Sequence, residues 1–312
     1  MELFDLVYKI YFSLPNFGRI GKLGKGVDRA MDIYGLHKLF NKIVPAYVKK
    51  HKPSESGLNT SPRDEQYIVS ITSFPARVGE AWISFECLMR QTVKPDRIIL
   101  WLAEEQFPDR KLPESLTAFT KRGLEIRFCE DLKSHKKYYY TIKENPGANV
   151  ITLDDDLFYD KYIIENLVAL HKQFPKNVVT NRAHKMTFDG DKLKPYSKWK
   201  HNVVQNVPSF LLLHTSGAGT LFPPGSLPEV TFDKELIHEL SYRSDDVWLK
   251  MMTILGGVQV VTNGKYNKDL ITTGSTQTES LVSTNSKKGG KDQQLLSVMR
   301  HFNINIADYK SR

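Results

Sequence analysis

The residues best suited to chemistry are Asp154, Asp155 and Asp156, which close the run Asn149-Val-Ile-Thr-Leu-Asp154. Adjacent acids repel one another, so folding gains nothing from three in a row unless a cation offsets them. Oxygen donors of this kind suit Mg2+ or Mn2+, which retain waters and take further oxygens from phosphates. On an extended backbone Asp154 and Asp156, two apart, face the same side. A second acidic pair, Asp245-Asp246, follows Tyr242-Arg243-Ser244 about 90 residues later. Each cluster also has a plainer reading. The triplet could cap the next helix through Asp156 or Asp160, and Ser244 with its two acids could simply open a helix.

Positioning these groups requires strands that end beside them. Asn149 to Thr152 reads as a buried strand whose C-terminal end carries the triplet, the place where open α/β sheets hold ligands. Upstream, Tyr67 to Thr72 reads as a strand ended by Ser73-Phe-Pro75-Ala-Arg77, and Val78, Trp82, Phe85 and Met89 form a helical stripe. Further strands are expected at Arg97–Leu102, Leu124–Phe128, Asn177–Thr180 and Val258–Thr262, with helices at Ser134–Glu144, Tyr162–Phe174 and Gln293–Phe302. This alternation predicts an α/β fold with a mostly parallel sheet flanked by helices. Neither the glycine-rich dinucleotide fingerprint nor the phosphate-cradling P-loop is present. Ser209 to His214 is an apolar run followed by Thr-Ser-Gly217-Ala-Gly219, where glycines would admit a close ligand or form a tight turn. Residues 272–292 read as a mobile loop whose Lys287-Lys288-Gly-Gly-Lys291-Asp292 either closes over an anion or stays solvated.

The chain has 312 residues and a formal charge of +9, which favours anionic partners. Residues 1–52 hold ten Lys/Arg and four Asp/Glu, a net +6, and form a basic helical appendage. Leu3, Val7, Ile10 and Leu14 recur at helical spacing, as do Leu36, Phe40, Ile43 and Tyr47, with glycine breaks at Gly18, Gly21, Gly24 and Gly26 between them. Such helices either lie on an anionic membrane surface or dock on the main domain with their lysines in water. Residues 53–65 read as a linker, and 66–312 as the main domain. Cys87 and Cys129 lack metal spacing and read as buried thiols, which fits a reducing compartment. No apolar run approaches the roughly 18 residues of a membrane span, and the first residues lack a secretory pattern.

Together, Ile68-Val-Ser-Ile-Thr-Ser-Phe-Pro-Ala-Arg77, Thr152-Leu-Asp154-Asp155-Asp156 and Ser244-Asp245-Asp246-Val-Trp-Leu resemble the GT-A class of nucleotide-sugar glycosyltransferases, over residues 66–300. The nearest resemblance is to bacterial enzymes that assemble capsular or other surface polysaccharides. It implies a GT-A, Rossmann-like domain that moves a sugar from a nucleotide-sugar donor, a UDP-sugar first, to a saccharide or lipid-linked saccharide acceptor. The triplet resembles the DxD motif, with Asp154 and Asp156 on the Mn2+ or Mg2+ ion and diphosphate and Asp155 toward ribose or sugar. Asp246 matches the general base of inverting relatives. Asp245 matches a position usually held by glutamate, and a retaining course stays open.

The same resemblance places Thr72, Ser73, Pro75 and Arg77 on the nucleotide base, and offers Lys137, beside His135 and Lys136, to phosphate. Gly217 and Gly219 would floor the acceptor side, and His301 or Asp292 would complete the metal shell. It further implies cytoplasmic work at the inner membrane face, with residues 1–52 on anionic lipid and no nucleic acid bound. The rivals are a sugar nucleotidyltransferase or other metal-dependent phosphoryl-transfer enzyme, and a non-enzymatic polyanion or membrane binder. Ser73-Phe-Pro-Ala-Arg77 disfavours the first, lacking a glycine- and arginine-rich loop. Lys136-Lys137-Tyr138-Tyr139-Tyr140 favours the second, and the acidic clusters oppose it.

Overall fold

The strand signals resolve into one seven-stranded sheet. In the computed structural model β1 (Tyr67–Thr72), β2 (Arg97–Ala103), β3 (Leu124–Cys129), β4 (Asn149–Thr152), β5 (Val178–Thr180), β10 (Thr220–Phe222) and β11 (Val260–Thr262) run in the order β11-β5-β10-β4-β1-β2-β3. Residues 2–14, 35–51, 56–274 and 290–310 are described. The glycine breaks at Gly18 to Gly26, residues 52–55 of the linker region and Lys287-Lys288 lie outside the described residues.

β1 pairs in parallel with β2 and β4, β2 with β3, and β11 with β5, while β10 alone in this sheet runs antiparallel, between β4 and β5. Val, Ile and Leu are together the commonest residues of β1, β2 and β4 because both faces are covered and all but the terminal Thr72 and Arg97 are buried. β10 was missed in the sequence. Thr220-Leu-Phe222 lies between Gly219 and Pro223, so it reads as part of a turn and lacks the paired valines that mark the equally short β5 and β11. The apolar run before it does not join this sheet: β9 (Leu212–His214) pairs instead with β6 (Ala183–Lys185) in a separate two-stranded ladder. β7 (Phe188–Asp189) and β8 (Lys192–Leu193) form a further small hairpin.

The helices are α1 (Glu2–Ser13), α2 (His37–Lys50), the short turns α3 (Pro75–Val78) and α5 (Glu114–Thr117), α4 (Trp82–Leu88), α6 (Lys136–Glu144), α7 (Ile163–Gln173), α8 (Lys234–Leu240), α9 (Asp245–Leu255) and α10 (Gly290–His301). One apolar cluster lies where α1, α2, α4 and α7 meet the sheet, and a second gathers α6, α9 and α10. Ser244 precedes α9 as expected, yet its side chain makes no capping bond.

The N-terminal helices pack into the first cluster. Phe4, Tyr8 and Tyr11 of α1 and Phe40, Val44 and Val48 of α2 are buried. Phe40 stacks on Tyr8 at 5.0 Å, and the Tyr8 hydroxyl donates to the Phe158 carbonyl at 2.9 Å. The buried faces are offset from the expected stripes: in α1 Phe4, Tyr8 and Tyr11 point inward while Ile10 is about half exposed, and in α2 Phe40 is buried as expected but with Val44 and Val48, while Tyr47 is exposed. Residues 56–65 are also tied down, with Gly57 N–H donating to Arg122 and Arg63 paired with Asp96. Among the described residues no helix is long and apolar enough to cross a membrane.

Candidate functional site

The sheet brings several chain ends to one edge. Register pairs Ser70 with Thr152, Thr152 with Thr220, and Thr220 with Thr180. The segments leaving β1, β4 and β5 and the glycine turn entering β10 therefore meet at the C-terminal edge of the parallel strands. Thr180 Oγ1 and Thr220 Oγ1, 3.1 Å apart, and the Thr180 donation to the Gly219 carbonyl at 3.0 Å fasten that edge. Gly219 has φ +92°, a conformation that glycine adopts without a Cβ penalty.

The strand β4 ends at Thr152, so the triplet lies in a bend rather than on extended backbone, and its three carboxylates point to different partners. Asp154 accepts from Lys137 Nζ at 2.7 Å. Asp155 turns inward, accepting from Ser73 Oγ and, at 3.2 Å, from Arg77. Asp156 Oδ2 lies 3.0 Å from the same Arg77 guanidinium. Ser84 Oγ is within 2.9 Å of the Asp155 carbonyl and receives the Leu157 N–H at 3.1 Å, which holds the bend. Tyr159 OH receives the Asp154 N–H at 2.9 Å and reaches the Gly217 carbonyl at 3.1 Å. Asp160, the other candidate cap, accepts from the Tyr162 N–H at 2.8 Å just before α7.

Lys137 joins the two acidic clusters. Its Nζ lies 2.7 Å from Asp154 and 3.0 Å from Asp245 Oδ2, and its side chain is only 4% exposed. Burial opposes its charge, but Asp154, Asp245 and Asp246 outweigh that and raise its pKa. Burial would raise Asp245, yet Lys137 and then His135 hold it well below the usual carboxylate range. Asp246 is raised, by burial and by Asp245, against Lys291 and Lys137. It accepts from the Ser216 N–H at 3.1 Å and from Ser216 Oγ at 2.9 Å, with Lys291 Nζ at 4.0 Å. Burial, followed by Asp155, pushes Asp156 up to about 7 despite Arg77.

The other expected site residues divide. Ser73 and Arg77 bind the triplet's own carboxylates. Thr72 Oγ1 donates to the Trp101 carbonyl at 2.8 Å, and Pro75 opens α3. Gly217 lies against the triplet: a Cβ there would come 3.1 Å from Asp154 Oδ2 and 3.7 Å from Arg182 Nη2. His135 donates to the Ser241 carbonyl at 2.9 Å and Lys136 pairs with Asp131 at 2.6 Å. Asp292 accepts the Tyr196 N–H at 2.7 Å and His301 is exposed beside Phe302, so the contacts of neither involve the triplet. Lys291 and Asp292 belong to α10 rather than to the expected loop. Arg182, Ser216 and Tyr196 were missed. Arg182 follows β5, and Ser216 and Tyr196 open single 3-10 turns, so none lies in a pattern that marks it in the sequence and only the fold brings it to the edge.

Among the described residues no group of three or more His, Cys, Asp or Glu side chains could hold a metal ion. Asp154 and Asp156 offer carboxylate oxygens, the donor type that a hard cation takes together with phosphate oxygens and waters. Asp154 is the more open of the two, its side chain 35% exposed, and would share with Lys137, whereas Asp156 would share with Arg77.

No family model and no curated protein matches the sequence. Solved structures do. The mannosyltransferase PcManGT from Pyrobaculum calidifontis, in complex with GDP-Man and Mn2+, is 11% identical, with 88% of this chain and 74% of that one covered and a TM-score of 0.44. S. aureus TarS 1–349 in complex with UDP-GlcNAc is 13% identical, with 78% and 74% covered and a TM-score of 0.42. The same protein in complex with UDP is 14% identical, with 78% and 73% covered and a TM-score of 0.40.

Proposed function

We propose that the chain is a nucleotide-sugar glycosyltransferase of the GT-A kind, inverting, with a hydroxyl of a saccharide or lipid-linked saccharide as acceptor. The observation that carries this reading is the Lys137 bridge. It brings Asp154, at the end of β4, within one lysine of the helix start that bears Asp245 and Asp246. A donor diphosphate near Asp154 and an acceptor hydroxyl at Asp246 would then be neighbours.

In this reading the acceptor oxygen attacks the anomeric carbon as the bond from that carbon to the diphosphate oxygen breaks, and Asp246 takes the hydroxyl proton. A raised pKa makes Asp246 a stronger base, provided it remains ionised. The Ser216 N–H and hydroxyl fix one of its oxygens and leave the other for the acceptor. Lys137, dry and cationic, offsets charge building on the leaving diphosphate. Asp154 and Asp156 would hold Mn2+ or Mg2+, which when bound supplies further neutralisation of that leaving group. Asp155, tied to Ser73 and Arg77, sets the shape of the bend.

The setting is proposed as surface or capsular polysaccharide synthesis on an anionic membrane face, with a UDP-sugar as the first donor to test. The polyanion-binding alternative loses its main support, because Lys136, Lys137, Tyr138 and Tyr139 are buried rather than displayed. The test is a screen of UDP-, GDP-, CMP- and dTDP-sugars with Mn2+ by thermal shift, since a ligand of the folded state raises the melting temperature. Transfer assays of Asp246→Asn on the donor found follow. Binding should persist while transfer falls by at least 100-fold, the usual worth of a positioned acid or base being about 10²–10⁴-fold. Unchanged turnover would remove Asp246 as base.

A further inference from the structure

Beside Asp246 lies a shelf of rings and cations for which the bond-making step has no use. Tyr196 packs against His201 at 5.1 Å and His184 at 5.8 Å, and the two imidazoles lie 4.4 Å apart. Lys291, from the first turn of α10, holds its Nζ 4.7 Å from the Tyr196 ring centroid and 4.0 Å from Asp246 Oδ2. Arg182, which leaves β5 toward the same edge, donates from Nε to Thr215 Oγ1 at 2.9 Å. Its other end pairs with Asp269, a side chain 76% exposed while Arg182 itself is 14% exposed.

A general base is weakened by nearby cations, because they stabilise its ionised form. Placing Lys291 beside Asp246 therefore works against proton abstraction unless the charge serves something else. Aromatic and imidazole faces at such a place suit the apolar face of a sugar ring. Buried or half-buried cations around them suit an anionic substituent, because Arg presents a planar fork to phosphate or carboxylate. The carboxylates facing the shelf are Asp246, Asp269 and Asp292, the last held by the Tyr196 N–H at 2.7 Å. Of these Asp269 is the exposed partner, and an incoming anion can replace it on Arg182.

We propose that this shelf is the acceptor subsite and that it takes a sugar bearing a phosphate or carboxylate group, held by Arg182 and Lys291 with the ring on Tyr196 and His201. The inference rests on the glycosyltransferase reading for the word acceptor. The anion site itself stands on the side chains named.

Binding of UDP and GDP to the full chain with Mn2+ is measured first, by calorimetry. If neither binds, the failure falls on the glycosyltransferase reading, and the titrations below are read on the free chain. Glucose 6-phosphate and glucuronate are then titrated against glucose, with nucleoside diphosphate saturating wherever it binds. At least one charged sugar should bind at least tenfold more tightly than glucose, and which one does so distinguishes phosphate from carboxylate. Arg182→Gln and Lys291→Gln should each reduce that affinity about tenfold while leaving nucleoside diphosphate affinity within twofold. Equal affinity for charged and neutral sugars would overturn the proposal. So would competition between charged sugar and nucleoside diphosphate, or loss of nucleotide affinity in either variant, since the cations would then belong to the donor.

Discussion

Lys250 makes a quantitative test of how this interior is built. It lies on α9 one turn beyond Asp246, is fully buried, and its Nζ has no hydrogen-bond partner. Its neighbour in charge is His214, also fully buried, with both ring nitrogens unpartnered. Burial alone lowers the Lys250 pKa from 10.5 to about 7. In the unfolded chain the amine keeps its proton up to the ordinary value, so between these limits the unfolded state binds more protons. Stability from this group accordingly rises with pH across that window, and the penalty is complete below it. At about 1.36 kcal/mol per unit, the penalty is roughly 5 kcal/mol near pH 6 and roughly 2 kcal/mol near pH 9. Lys250→Met keeps the length of the side chain, is flexible enough to fill the slot, and removes the ammonium. The expected outcome in urea unfolding is a variant more stable than the parent by several kcal/mol near pH 6, with an advantage smaller by roughly 3 kcal/mol near pH 9. A variant less stable than the parent, or an advantage independent of pH, would refute the reasoning. Lys250 would then be a charge that the fold pairs and uses.

Three further outcomes follow from the geometry. Gly217→Ala places a methyl 3.1 Å from Asp154 Oδ2 and 3.3 Å from Leu157 Cδ1, so it should raise KM for the donor several-fold with little loss of melting temperature; an unchanged KM would separate Gly217 from the donor. Tyr8→Ala removes a fully buried ring and its bond to Phe158, and should cost about 3–5 kcal/mol in urea unfolding; a cost below about 1 kcal/mol would show that α1 is not part of the core. Leu6→Ser with Ile10→Ser changes only exposed side chains of α1, so it should leave stability unchanged and weaken sedimentation with anionic vesicles; equal sedimentation would remove this face as a lipid contact.

The membrane question illustrates what a sequence can and cannot supply. Period-3.6 patterning correctly finds two amphipathic helices at the N-terminus, but it cannot say which of two apolar stripes meets protein. Leu3, Val7 and Ile10 form one stripe of α1 and Phe4, Tyr8 and Tyr11 another, and both are apolar. The choice depends on the shape of the hollow beneath, where Phe158 and Tyr266 offer rings and Tyr8 finds a carbonyl. The long parallel strands β1 and β2 were legible for the opposite reason. Buried on both faces, they are mostly apolar, and their β-branched content between turn residues marks them as strands. β10 lacks the paired valines that marked the equally short β5 and β11, and β9 shows that an apolar run can be buried without joining the main sheet.

The site was legible where charge is concentrated and silent where it is compensated. Three adjacent acids and a second pair announce that cations must be found, but not which ones. The structure answers with Arg77, from the turn after β1, for Asp155 and Asp156, and Lys137, from α6, for Asp154 and Asp245. Arg77 was read as a base-binding residue from the resemblance of its turn; in the structure its guanidinium faces Asp155 and Asp156. That pairing changes what the triplet can do. All three already face a cation, but Asp154 is 35% exposed against 15% for Asp156 and 4% for Asp155, so the three acids are not equivalent. Asp155 is spent on structure, Asp156 is contested, and Asp154 is left as the group that can meet an incoming phosphate-bound cation. Because Lys137 holds Asp154 and Asp245 at once, any ligand that draws Asp154 toward itself also frees the lysine to move toward Asp245 or toward the ligand's own phosphate. If Asp154 meets the donor and Asp246 serves as base, as proposed, donor arrival and the charge beside that base would be coupled through one ammonium group.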